Sequence, residues 1–237
     1  MKKLLLTVLL LLNILDAKDI YATFNIKAKK SANLAFSTGG IINKVSVDVA
    51  TKVKKGDILV ELKNSDIKAM TEISKTALIY AKKEYYRQLK VKNMIDKSKL
   101  DSYEFKYKNS KNQLVYQEAL LDKTILRAPF NGVIFENSVE VGDVVSGAML
   151  RTILKIQSGN RQKLIISIDQ KYWKSIKIGQ SFRYTVDGDR ETYVGRISKI
   201  YPQANIKNRK IRAEVEVEGF VVGLFGEGYI EVEDKKE

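Results

Sequence analysis

The sequence predicts a mainly β protein interrupted by an inserted α-helical coiled-coil hairpin. Three observations carry this reading. Residues 66–123 contain neither Gly nor Pro, the residues that most strongly break a helix. On either side of that stretch stand two blocks of short, alternating, β-branched segments that mirror each other. Beyond residue 152, more alternating segments separated by turn residues read as a small, closed or nearly closed β-barrel.

The helical stretch divides in two. In its second half Leu100, Tyr103, Tyr107, Ser110, Leu114, Gln117 and Leu121 fall at spacings that alternate three and four, the seam of a coiled coil. In its first half Ile67, Met70, Ser74, Ala77, Ala81 and Tyr85 form a weaker stripe, whose small residues let a second helix come close. Lys92-Asn93-Met94-Ile95-Asp96-Lys97-Ser98 separates the halves. Either Asp96 or Ser98 can cap the second helix by accepting from its free backbone N–H groups. Each arm of roughly 26 residues reaches about 40 Å. That is too long for an element buried in a small domain, so it reads as a projecting arm.

The first flanking block runs from Gly39 to Leu62, with a turn at Gly56-Asp57. The second runs from Thr124 to Leu150. Gly40-Ile41-Ile42 matches Gly132-Val133-Ile134, Gly56 matches Gly147 within one residue, and Leu59 and Leu150 each follow their glycine by three. A repeat on both sides of an insertion indicates two halves of one small β-domain. After residue 152, segments 162–169, 181–186, 191–200, 210–218 and 228–233 alternate as strands. Residues 170–176 read as a short helix, with Trp173 as a core anchor. Residues 186–191 and 223–228 read as turns.

Met1 to Ala17 has the layout of an export signal: Lys2 and Lys3, an apolar run, and a processing position after Ala17. An uncleaved membrane tether is the alternative. The chain has no Cys and no His. This removes thiolate and imidazole chemistry, both as catalytic nucleophile–base pairs and as metal ligands. Gly39-Gly40 precedes a strand, not a helix, so it is no phosphate cradle. No cofactor and no enzymatic activity are expected. The formal charge of +14 favours acidic partners, but the lysines on the helical arms lack the aromatic platform of a nucleic-acid rail, so no nucleic acid is expected.

The split β-repeat resembles the two half-motifs of a lipoyl or biotinyl carrier domain. With the hairpin between them, the chain resembles a periplasmic adaptor subunit (membrane fusion protein) of bacterial tripartite efflux pumps. The segment 124–134, TILRAPFNGVI, is the most specific piece, and the order of motifs makes the match. The resemblance implies an export signal at 1–17, a β-barrel domain from 18–31 and 153–237, a lipoyl-like domain from 32–65 and 124–152, and a hairpin over 66–123. It places Ile20 to Ala28 in the barrel, and no membrane-proximal domain is expected after it. It implies a periplasmic protein, peripheral to the inner membrane, that forms hexamers. Its partners are an inner-membrane efflux transporter, RND type favoured over an ABC or type I secretion partner, and a trimeric TolC-like outer-membrane duct. The family's tip motif falls on Tyr85, Leu89 and Asp96, where the family carries Arg, Leu and Ser. Met94 and Ile95 complete the expected duct contact. A free coiled-coil scaffold is the reading from another class.

Overall fold

A computed structural model describes residues 19–149 and 151–232. The export signal expected at 1–17 and the repeat position Leu150 lie outside the described residues. In chain order the strands are β1 (Ile20–Ala28), β2 (Ser31–Leu34), β3 (Gly40–Val45), β4 (Lys52–Val53) and β5 (Ile58–Leu62). Two helices follow, α1 (Ser65–Lys90) and α2 (Lys97–Asp122). Then come β6 (Ile125–Arg127), β7 (Gly132–Asn137), β8 (Val144–Val145), β9 (Leu154–Gln157), β10 (Arg161–Asp169), β11 (Ser181–Val186), β12 (Tyr193–Ile200), β13 (Lys210–Glu218) and β14 (Phe225–Ile230). The chain forms two compact units, one from residues up to 30 and from 158 onward, the other from 31 to 157.

The first unit is a closed antiparallel barrel in the order β1-β10-β13-β12-β11-β14. Closure leaves no sheet edge to pair with another chain. Every second residue of β1 (Ile20, Ala22, Phe24, Ile26, Ala28) is buried, as the pleat dictates. Phe24 packs edge-on against Phe182 and Tyr184. The space for these rings comes from Gly226 and Gly228. A Cβ on Gly226 would lie 2.6 Å from the Phe24 ring, and one on Gly228 would lie 2.7 Å from the Tyr184 Cβ. Both glycines belong to β14, not to the turn expected over 223–228. Only Gly223, with φ of 101°, makes the turn. The remaining two are missing side chains in a crowded interior.

Residues 170–176 also depart from expectation. Only Gln170–Tyr172 forms a single 3-10 turn, and Trp173 is 65% exposed. The barrel interior is filled by Phe24, Phe182, Tyr184 and aliphatic residues, which leaves no place for an indole.

On the barrel wall, Glu214 is buried beneath longer side chains. It accepts from Lys163 Nζ at 2.7 Å and from the Tyr201 hydroxyl at 2.6 Å, with Lys199 Nζ at 3.7 Å. Burial pushes its carboxyl pKa up, but these donors and cations together outweigh that and hold it below the usual carboxylate range. A lowered carboxyl pKa contributes stability that is fully present above the unfolded value and is lost as pH falls through the folded one. Barrel stability is therefore expected to drop below about pH 4. Glu214→Gln should cost about 1–3 kcal/mol at neutral pH and flatten the acid dependence, read by urea melts at pH 7 and pH 3.5.

The second unit holds two four-stranded sheets, β2-β9-β7-β4 and β6-β5-β3-β8. They enclose one core that includes Phe36, Ile42, Leu59, Leu62, Ile134, Leu154 and Ile156. The two halves of the repeat are interlocked. Gly40 of the first half pairs with Val145 of the second, and Gly132 of the second pairs with Val53 of the first. Gly39 and Gly147 meet backbone to backbone, where a Cβ on Gly147 would sit 2.9 Å from the Gly39 nitrogen. The repeat seen in the sequence is thus a near-twofold exchange of strands.

Candidate functional site

The hairpin grows out of this second unit between β5 and β6. Each helix has 26 residues, so each is about 39 Å long. Its base is fastened by a buried hydrogen bond from Asn64 Nδ2 to Thr124 Oγ1 of 2.8 Å. The Thr124 hydroxyl in turn donates to the Leu121 carbonyl at 2.6 Å.

The α2 side of the seam is as the sequence predicts. Leu100, Tyr103, Tyr107, Ser110, Leu114, Gln117 and Leu121 are all buried or half-buried. On α1 the stripe is Ile67, Thr71, Ser74, Leu78, Ala81 and Tyr85. Met70 is 50% exposed and Ala77 is exposed, so both leave the seam assigned to them. Thr71 takes the place of Met70 because its hydroxyl donates to the Ile67 carbonyl at 2.8 Å. A threonine that satisfies itself on its own helix is buried at little cost.

Toward the tip the seam thickens. Tyr85 stacks on Tyr107 with ring centroids 5.7 Å apart and planes 11° from parallel. Leu89 and Ile95 are half-buried and close the end of the pair. Asp96 caps α2, its carboxylate accepting from the Ser98 N–H at 2.7 Å. Met94 stands out at 87% exposure, held by its N–H donating to the Val91 carbonyl at 2.8 Å. Of the five residues singled out from the sequence, four (Tyr85, Leu89, Ile95 and Asp96) shape the tip, and Met94 is presented to solvent.

Charge surrounds this cap. Residues 82–99 carry seven cations, among them Lys90, Lys92, Lys97 and Lys99, against the two carboxylates Glu84 and Asp96, a net of +5. Glu84 is already engaged by Arg87 at 3.0 Å and Gln88 at 2.9 Å. The tip thus presents the exposed apolar side chain of Met94 among mostly positive charges. Among the described residues no cluster of three metal-ligating side chains occurs, and no helix is long and apolar enough to cross a membrane.

A second exposed feature, the Trp173 segment of the barrel, was missed by sequence reasoning. The signal was present in the spacing of Lys171, Lys174 and Lys177 around the chain's one Trp.

The family profile of the CzcB-like, barrel-sandwich hybrid domain matches residues 30–154, more than half of the chain. An uncharacterized protein of Haemophilus influenzae is 24% identical over 189 residues, covering 78% of this chain and 49% of that protein. The chain thus spans about half the length of this curated relative. Among solved structures, a MacA-MexA chimeric protein carrying the Pseudomonas aeruginosa MexA α-hairpin superposes with a TM-score of 0.84 at 21% identity, over 92% of this chain and 83% of the other. MacA of Actinobacillus actinomycetemcomitans gives 0.75 at 20% identity, over 91% and 79%. A membrane fusion protein of Streptococcus pneumoniae gives 0.71 at 16% identity, over 92% and 100%. These likenesses show a shared fold. The chain belongs to the family of CzcB-like proteins built on a barrel-sandwich hybrid domain.

Proposed function

We propose that this protein is a non-catalytic periplasmic adaptor. It self-associates, as a hexamer in the assembled pump, and bridges an inner-membrane efflux transporter of the RND type to a TolC-like outer-membrane duct, supporting export of small molecules. Residues 1–17 direct export in this reading, the barrel faces the transporter, and Tyr85, Leu89, Met94, Ile95 and Asp96 meet the duct.

The observation that carries the reading is the hairpin itself. Two 26-residue helices pair with each other and leave Met94 exposed at their turn. A stalk of about 39 Å that buries nothing but its own seam is built to reach something. The fold relatives named above are, by their descriptions, MacA, a MacA-MexA chimera and a membrane fusion protein, which supports an adaptor role. Capture of the tagged protein from detergent-solubilised envelopes tests it. The expected result is co-purification of one inner-membrane transporter and one outer-membrane channel. Recovery of the protein alone, from cells in which it is exported and folded, contradicts it.

A further inference from the structure

Trp173 is the single Trp of the chain and is 65% exposed. It lies in the connection between β10 and β11, and Ile178 in the same connection is 67% exposed. The connection between β12 and β13 runs alongside, tied on by the Gln170 N–H donating to the Arg209 carbonyl at 3.0 Å. Its Ile206 is 86% exposed. Three large apolar side chains therefore stand in water at one end of a barrel whose interior is already full.

Cations surround them. Lys171, Lys174 and Lys177 come from the first connection, Lys207 and Arg209 from the second, and Lys210 from the first position of β13. None of the six pairs with a carboxylate of the described residues. Lys174 Nζ instead sits 5.3 Å over the Trp173 ring, and Lys171 Nζ 4.9 Å over the Tyr172 ring. Among the described residues, the carboxylates at this end are occupied. Asp169 accepts from the Lys171 N–H at 2.9 Å, and Asp19 and Glu231 share Arg183 at 3.4 Å each.

The strand register fixes which end this is. Asp169 lies opposite Lys210, Ala22 opposite Ile168 and Ile20 opposite Ile230. The barrel's first strand therefore begins here. We propose that this end is a membrane-surface site. Trp173, Ile178 and Ile206 enter the interfacial layer of a bilayer rich in anionic phospholipid, and the six cations lie on its headgroups. Trp is favoured at that depth because one ring is both apolar and hydrogen-bonding, and basic–aromatic surfaces bind in this plane. A protein partner fits less well, since the buried core of a protein interface is depleted in Lys and here the Lys residues are interleaved with the apolar ones. The inference does not depend on what the hairpin tip meets.

The lone Trp is its own reporter. The purified protein is mixed with phosphatidylglycerol vesicles, with phosphatidylcholine vesicles as the comparison, and Trp emission and co-sedimentation are followed together. The expected result with phosphatidylglycerol is a blue shift and quenching by brominated lipid, both lost at high salt. Each Lys near an anionic surface is worth about fivefold in binding. The double variant Lys171→Gln, Lys174→Gln should therefore partition about 25-fold more weakly. Vesicle binding with unmoved Trp emission overturns the proposal, because the N-terminal segment or the hairpin is then the attachment. Absence of binding overturns it too, as does a blue shift seen only when the membranes contain the transporter, which marks a protein interface. The vesicles hold neither transporter nor duct, so failure here leaves the adaptor reading intact.

Discussion

Replacing Met94 with Glu is expected to remove the outer-membrane duct from material captured with the protein, while the inner-membrane transporter stays. Met94 is 87% exposed, so the new carboxylate costs the hairpin almost nothing. At the centre of a docked interface the same change buries an unpaired charge and removes an apolar anchor. Losses on that scale reach about 2 kcal/mol or more, roughly thirtyfold in affinity. Leu89→Glu should also abolish capture, but Leu89 is half-buried, so some helicity at the tip goes with it. Met94 separates docking from folding more cleanly. Val221→Glu, at a 70% exposed barrel position, should leave duct capture unchanged.

The largest stability effect is expected from Phe24→Ala. Phe24 is 1% exposed, with ring centroids 5.9 Å from Phe182 and 5.3 Å from Tyr184. Truncation removes a ring from the middle of the barrel and leaves a cavity lined partly by Gly226, which has no side chain to collapse into it. Such a change costs about 3–5 kcal/mol, a large share of the stability of an ordinary domain. Hydrogen exchange should show β1, β11 and β14 opening much faster, while β3, β5 and β7, which belong to a different core, keep their protection. Equal loss of protection in both cores contradicts the account of two independently packed units.

Much of this architecture was legible because its patterns are local. Helix α2 could be read in full, since Leu100, Tyr103, Tyr107 and Leu114 are large enough to mark the seam. Asp96 was identified as a possible cap because a short acceptor directly before a helix has few other uses. The repeat was visible because Gly40 and Gly132 sit where strands from opposite halves cross. The misreadings share a cause: burial there is decided by a bonding or packing partner that residue type and hydropathy do not show. Met70 outranks Thr71 in hydropathy, yet the hydroxyl of Thr71 bonds to its own helix and the phase through Leu78 to Tyr85 excludes Met70. Gly226 and Gly228 look like turn residues until Phe24, about 200 residues earlier, needs their volume. Trp173 reads as a core anchor on the face that an expected helix shares with Tyr172 and Ile176, and only a barrel already filled by Phe24, Phe182 and Tyr184 shows that it has no place inside. At the tip, the family motif pointed to Tyr85, Leu89 and Asp96, whereas the most exposed apolar side chain of the hairpin is Met94. No periodicity marks a residue in a turn.

The proposed function turns on contact between the hairpin tip and an outer-membrane duct. It is tested most directly by a single Cys placed at Ile95, in a chain that otherwise has none, followed by crosslinking in whole cells with a short thiol-reactive reagent. One principal adduct is expected, containing a subunit of a trimeric outer-membrane channel and lost when Met94→Glu is added. An adduct of the protein with itself alone, or no adduct from exported and folded protein, contradicts it and leaves the hairpin as a scaffold for self-association.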